Sequence, residues 1–205
     1  LVEKNINSLE KDLVLFYGEN LGLINQFKNI IRQENLQKEI ILIHQDEVLK
    51  NIDTFFADIF NISLFDKEKI FFINQANDKI FSIIEELEGK LKGQKIFFFS
   101  DILDKKSKLR NYFEKSSSCA VIPCYADNEI GIKKIILEKL KGFEGLTPEN
   151  INLIVENCGL DRIKLNNEID KITAFYLNKK LETISLRNLL NDKINDDFNI
   201  LRDEA

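Results

Sequence analysis

Five short apolar runs recur along the chain, each bounded by polar or charged residues: Leu13 to Tyr17, Ile40 to Ile43, Ile70 to Ile73, Ile96 to Phe99 and Cys119 to Ile122. They are too short for helices, and within them apolar and polar positions do not alternate. Strands buried on both faces of a parallel sheet read this way, because neither side-chain direction meets water. Between the runs the spacing turns helical. Leu23, Phe27, Ile30 and Ile31 make one stripe, Val48, Ile52, Phe55, Phe56 and Ile59 a second, and Ile80, Ile83, Ile84 and Leu87 a third. Strand and helix alternate to about residue 125, which predicts a doubly wound α/β layer.

After Pro123 no strand-like run follows. Ile130 to Leu140 carries apolar residues at helical spacing with Lys133, Lys134, Glu138 and Lys139 between them, and Gly142 and Gly145 end it. Thr147-Pro148-Glu149 reads as a helix start: a hydroxyl to cap free amides, proline at the first helical position and an acid at the positive end of the dipole. That helix is expected to stop at Gly159. Another follows through Leu165, Ile169, Ile172, Phe175 and Tyr176, and a short one begins near Ser185. The chain thus divides into an α/β domain over 1–126 and a small all-helical domain over 127–192.

Composition narrows the function classes. With 44% hydrophobic residues in 205, there is material for a medium domain and a small one. A formal net charge of -5 gives a field that repels phosphate, so nucleic acid is not expected as the main direct partner. No apolar run approaches the roughly 20 residues that span a bilayer, and the N-terminus has no secretory pattern, which predicts a reduced, cytoplasmic protein. Cys119, Cys124 and Cys158 with the single His44 match no zinc spacing. Cys119 and Cys124, on an extended segment, are expected on opposite faces, as buried inert thiols. Methionine is absent, and Asp196 to Ala205 reads as part of a charged helix, so the sequence is expected to be a piece of a longer protein.

An α/β domain followed by a helical one is the layout of AAA+ nucleotide-binding modules, in which a glycine-rich loop after the first strand wraps phosphate with backbone amides, its Lys reaches the terminal phosphates and its Ser or Thr holds magnesium. Here that place is filled by Gly18-Glu19-Asn20-Leu21-Gly22-Leu23-Ile24. Two glycines remain, but the Lys-Ser/Thr pair is missing and Glu19 puts a negative charge where phosphate would lie. The strand Ile96 to Phe99 leads to one acid, Asp101, displaced by Ser100, which is read as a cap of a turn or of the next helix and not as a magnesium ligand. The run Ser116-Ser117-Ser118 has no nucleophile elbow, and His44 reads as a satisfied structural histidine, so a Ser-His-Asp triad has no support. No catalytic signature and no cofactor are expected. Lys105, Lys106, Lys108 and Arg110 form a small basic patch, read first as a solvated helix face and second as a DNA contact.

Several local patterns, in order along the chain, resemble the delta subunits of the bacterial DNA polymerase III clamp loader. These are Leu15-Phe16-Tyr17-Gly18-Glu19-Asn20 at the first strand and degenerate loop; Asn61-Ile62-Ser63-Leu64-Phe65; Asp104 to Arg110 with Phe113-Glu114; Ile122-Pro123-Cys124-Tyr125-Ala126-Asp127 at the domain junction; and Leu146-Thr147-Pro148-Glu149 with Asn166 to Lys171. The resemblance implies an AAA+-like five-stranded parallel sheet with flanking helices, a helical lid, and residues 193–205 leading toward a collar domain that the sequence does not contain. It implies Ser63, Leu64 and Phe65 as a clamp-binding element and Gly18, Glu19, Asn20 and Gly22 as a phosphate loop that no longer binds. From the residues alone, Leu64 and Phe65 are open to two readings, core residues or an exposed anchor in a polar-flanked turn. Implied partners are the sliding clamp (beta subunit) and the gamma/tau and delta prime subunits, with DNA met only indirectly. The implied function is to bind and help open the clamp while sister subunits hydrolyse ATP, so the chain would share the nucleotidyltransferase class of the holoenzyme without catalysing that reaction. Ser117-Ser118-Cys119 stands where ATPase relatives carry a Ser-Arg-Cys motif, so no arginine finger is offered from there. Two readings compete: an AAA+-like ATPase with a divergent phosphate loop, and a generic interaction scaffold.

Overall fold

The computed structural model describes residues 9–60 and 68–191. The chain divides after Tyr125 into two compact units. In the first, β1 (Leu13–Tyr17), β2 (Glu39–His44), β3 (Lys69–Asn74), β4 (Lys95–Ser100) and β5 (Ala120–Pro123) form a five-stranded sheet in the order β2-β3-β4-β1-β5, every pairing parallel. The helices between them are α1 (Leu21–Glu34), α2 (Gln45–Lys50), α3 (Ile52–Phe60), α4 (Phe81–Leu87, after a short 3-10 turn) and α5 (Lys108–Lys115).

The unbroken apolar runs are explained by burial on both sides. Leu13, Leu15, Tyr17, Phe71, Ile73, Ile96 and Phe98 face one core with Val48, Phe55, Ile59, Ile84 and Phe113. Their neighbours Val14, Phe16, Ile70, Phe72, Phe97, Phe99 and Ile122 face the other, under Leu23, Ile24, Phe27 and Ile31 of α1. The second core holds a cluster of phenylalanine rings. Phe16 stacks on Phe99 at 5.0 Å between ring centroids, and Phe72 meets Phe97 and Phe99 edge-on. Lys28 lies 4.2 Å from the centroid of Phe99 and donates to Asn74 Oδ1 at 2.8 Å, a cation held over a ring face.

Two expectations need correction. β2 is not buried on both faces: it is an outer strand of the sheet, its residues are half-buried or exposed, and Leu42 is 57% exposed. The stripe from Val48 to Ile59 is not one helix, because Asn51 breaks it. The Asn51 amide closes the first helix on Glu47 O and Val48 O, and its carbonyl accepts from Phe55 N to begin the next. Ile52 is consequently left at the exposed start of α3. Cys119 and Cys124 lie in the two opposite cores, and all three thiols are buried and unpaired in disulfides.

The second unit contains α6 (Glu129–Lys139), α7 (Pro148–Cys158), α8 (Arg162–Phe175) and α9 (Thr183–Asn191) around Ile132, Ile136, Leu140, Ile154, Leu165, Ile169, Ile172 and Leu186. Thr147 Oγ1 accepts from Asn150 N at 3.2 Å with Pro148 in the first turn, and Gly159 follows α7 at φ 60°. Glu168 is fully buried on α8 and pairs with Lys171 at 2.9 Å, whose ammonium also donates to Leu189 O.

Candidate functional site

In a parallel sheet, ligands bind beyond the carboxyl ends of the strands. At this end of β1 the chain turns at Gly18 with φ +136°, a conformation that side chains resist, and a Cβ there would lie 2.2 Å from the Cys124 carbonyl oxygen. The turn is stitched down by its own amides. Gly18 N donates to Asp101 O at 3.2 Å, Asn20 N to Cys124 O at 2.9 Å and Leu21 N to Glu19 O at 3.0 Å. Asn20 caps α1 by accepting from Leu23 N at 2.9 Å, and its amide group donates to Tyr125 O at 3.1 Å. A phosphate cradle needs amides that point outward. In this loop the amides of Gly18, Asn20, Leu21 and Leu23 serve internal acceptors. Glu19 is exposed at the apex, and the first lysine of α1, Lys28, is engaged with Phe99 and Asn74.

Gly18→Ala is expected to destabilise the first unit by about 2 to 6 kcal/mol, since positive φ and overpacking each cost about 1 to 3. Urea unfolding measures it. A loop that stayed open to accommodate phosphate would tolerate the methyl group.

Beside the turn, the Tyr17 hydroxyl is 2.8 Å from that of Tyr125 and also donates to Glu114 Oε1 at 3.4 Å. Burial, then the Tyr125 hydroxyl, pushes the Tyr17 phenol up. Arg110 lies 5.0 Å over the Tyr17 ring and donates through Nε to Glu114 at 2.8 Å and through Nη1 to Leu103 O at 3.2 Å. Arg110 is therefore committed inward, while Lys105, Lys106 and Lys108 are exposed. Asp101 does not cap α5. Ser107 does, accepting from Arg110 N at 3.2 Å, and the part of Asp101 that reaches the turn is its backbone carbonyl. His44 is exposed at the end of β2 and makes no side-chain capping bond, contrary to the expected satisfied histidine.

The serine run has a partner that sequence reasoning missed. Ser116 Oγ donates to Glu88 Oε1 at 2.8 Å, and the hydroxyls of Ser118 and Tyr112 donate to the same carboxylate. These bonds, that of Ser118 first, hold the Glu88 carboxyl below its usual range. No local signal joins residues about 30 apart in sequence; the topology that places the end of α4 beside the start of β5 does.

Ser63, Leu64 and Phe65 lie outside the described residues. They belong to the connection between α3, which ends at Phe60 stacked on Phe56 at 5.9 Å, and β3, before which Glu68 pairs with Lys38 at 2.8 Å. Among the described residues there is no group of three or more His, Cys, Asp or Glu placed to hold a metal ion, and no helix long and apolar enough to cross a membrane.

No family model matches the chain. A probable DNA polymerase III subunit delta of Rickettsia prowazekii (strain Madrid E) is 28% identical over 188 residues, covering 84% of this chain and 55% of that protein. Among solved structures, the Bacillus subtilis DNA clamp loader delta protein (YqeN) superposes with a TM-score of 0.64 at 14% identity, over 92% of this chain and 62% of that one. The Thermotoga maritima RuvB Holliday junction branch migration motor gives 0.53 at 16% identity, over 92% and 66%. The chain thus spans little more than half the length of the curated relative. The fold is AAA+-like, and the chain resembles the delta subunits of DNA polymerase III, as its residues led us to expect.

Proposed function

We propose that this chain is the sheet and lid portion of a clamp-loader delta subunit, acting in DNA replication by binding a sliding clamp and favouring its open form without hydrolysing ATP itself. The observation that carries the reading is the similarity to a DNA polymerase III delta subunit along 84% of the chain. The stitched turn at Gly18 supports the second half of it: Gly18, Glu19, Asn20 and Gly22 keep the course of a phosphate loop while its amides bond inward. In this reading Ser63, Leu64 and Phe65 fill an apolar pocket on the clamp. Residues 1–126 form the AAA+-like domain, 127–192 its lid, and 193–205 lead toward a collar through which gamma/tau and delta prime subunits assemble. The chain itself needs no cofactor.

Labelled ATP with magnesium is expected not to saturate the chain at concentrations where working phosphate loops are filled, and the chain is expected to co-elute with the sliding clamp of its own organism. Tight saturable ATP binding would favour a divergent ATPase, and failure to co-elute would favour a scaffold of another kind.

A further inference from the structure

The basic run after Asp104 is not absorbed by the clamp reading, and the structure gives it a setting. An open hollow of about 570 Å³ lies between α4 and α5. Lys108 and Lys115 stand on its α5 side, seven residues apart and so on one face of the helix, about 10.5 Å apart along the axis. The half-buried rings of Phe81 and Tyr112, 5.3 Å apart and edge to face, form its apolar wall. Lys11 reaches the rim, donating to the Ser117 carbonyl at 2.9 Å, and Lys105 and Lys106 continue the positive charge beyond α5. Among the described residues none of these five lysines is in an ion pair. The carboxylates nearby are engaged: Glu88, on the lining, holds the hydroxyls of Tyr112, Ser116 and Ser118, and Asp78 accepts from Ser107 Oγ and Leu109 N. Five lysines outside any ion pair, with Lys108 close enough to help hold the Asp78 carboxyl down, stand beside aromatic rings in a chain that is otherwise acidic, a local exception to the field of the whole molecule.

We propose that this hollow is a contact for single-stranded nucleic acid, with phosphates on Lys108 and Lys115 and a base against the Phe81 and Tyr112 wall. Lysines alone would serve an acidic peptide equally well. The aromatic wall between them is what favours a strand with bases, because a ring can stack on any base and single-strand sites pair such rings with basic side chains. The net charge of -5 makes the contact weak and steeply salt-dependent. This inference does not depend on the clamp reading, and its test does not involve the clamp.

The test is fluorescence anisotropy of the full chain with a labelled oligothymidylate of about 12 nucleotides, within the range of single-strand site sizes. Binding is expected at about 50 mM salt and should fall steeply by about 200 mM. Lys108→Ala with Lys115→Ala should weaken it by at least about tenfold and reduce the salt slope by about 1.4, two contacts at about 0.7 each. Both lysines are exposed, so this variant keeps the fold. Phe81→Leu should cost at least about fivefold with the slope unchanged, the signature of lost stacking. Lys133→Ala with Lys134→Ala, in the other unit, should change neither. Absence of binding at low salt, or binding indifferent to Lys108 and Lys115, would overturn the proposal. Polyglutamate bound as tightly, with the same lysine dependence and no effect of Phe81→Leu, would also overturn it, in favour of an acidic peptide.

Discussion

Replacing Leu64 and Phe65 together by alanine is expected to cost about 3 to 5 kcal/mol of binding to the sliding clamp, on the order of 100-fold to several thousand-fold in affinity. The figure follows from burial: a Leu or Phe side chain taken fully from water contributes roughly 1.5 to 3 kcal/mol. The pair sits between polar flanks, with Asn61 and Ser63 before it and Asp66, Lys67 and Glu68 after it, on the connection that joins α3 to β3. Apolar residues between polar flanks serve either the core or a partner, and the two roles separate in one experiment. If they anchor the clamp, the variant loses clamp binding while its thermal midpoint barely moves. If they are core, the two cavities destabilise the fold by roughly 2 to 5 kcal/mol each and the melting curve shows it. A variant that melts much lower, or that binds the clamp as well as the parent, removes Leu64 and Phe65 from the interface.

The central strands were legible because burial on two faces writes itself as an unbroken apolar run, and Thr147-Pro148 and Gly159 marked α7 because helix ends have local chemistry. What was not legible depended on position in the sheet. Ile40 to Ile43 is as apolar as the central strands, yet β2 is an outer strand, and nothing in its residues says so. Asn51 inside an apolar stripe gave little warning that two short helices would replace one long one. The phosphate loop was half legible. The missing Lys-Ser/Thr pair and Glu19 could be read directly, whereas the closure on Asp101 and Cys124 requires β4, β1 and β5 to be neighbours. The same dependence hid the Glu88 cluster and the commitment of Arg110 to Tyr17 and Glu114, which splits the basic run into one inward-facing cation and three exposed lysines. Those contacts are products of the fold, so they appear only once the fold is known.

In the helical unit, Asp127→Ala is expected to cost about 3 to 5 kcal/mol, because it takes the bidentate carboxylate partner from a guanidinium that is largely withdrawn from water. Arg162 opens α8, and its Nε and Nη2 donate to the two carboxylate oxygens of Asp127, the parallel geometry that makes guanidinium and carboxylate a strong pair. The two side chains are only 9% and 11% exposed. Surface pairs such as Lys133 with Glu129, which are wetter, contribute about 0.2 to 1 kcal/mol. The same residues distinguish attraction from desolvation. Removing both charges at once, as Asp127→Leu with Arg162→Met, takes away both members of the pair and should recover much of the loss, since apolar replacements of buried pairs are often neutral. Arg162→Lys keeps the charge but gives up the fork, and should fall between the parent and Asp127→Ala. Hydrogen exchange of the α8 amides around Leu165 and Ile169 reads the stability of this unit separately from the sheet. Protection that survived Asp127→Ala unchanged would mean that the pair, buried as it is, contributes nothing to holding the start of α8.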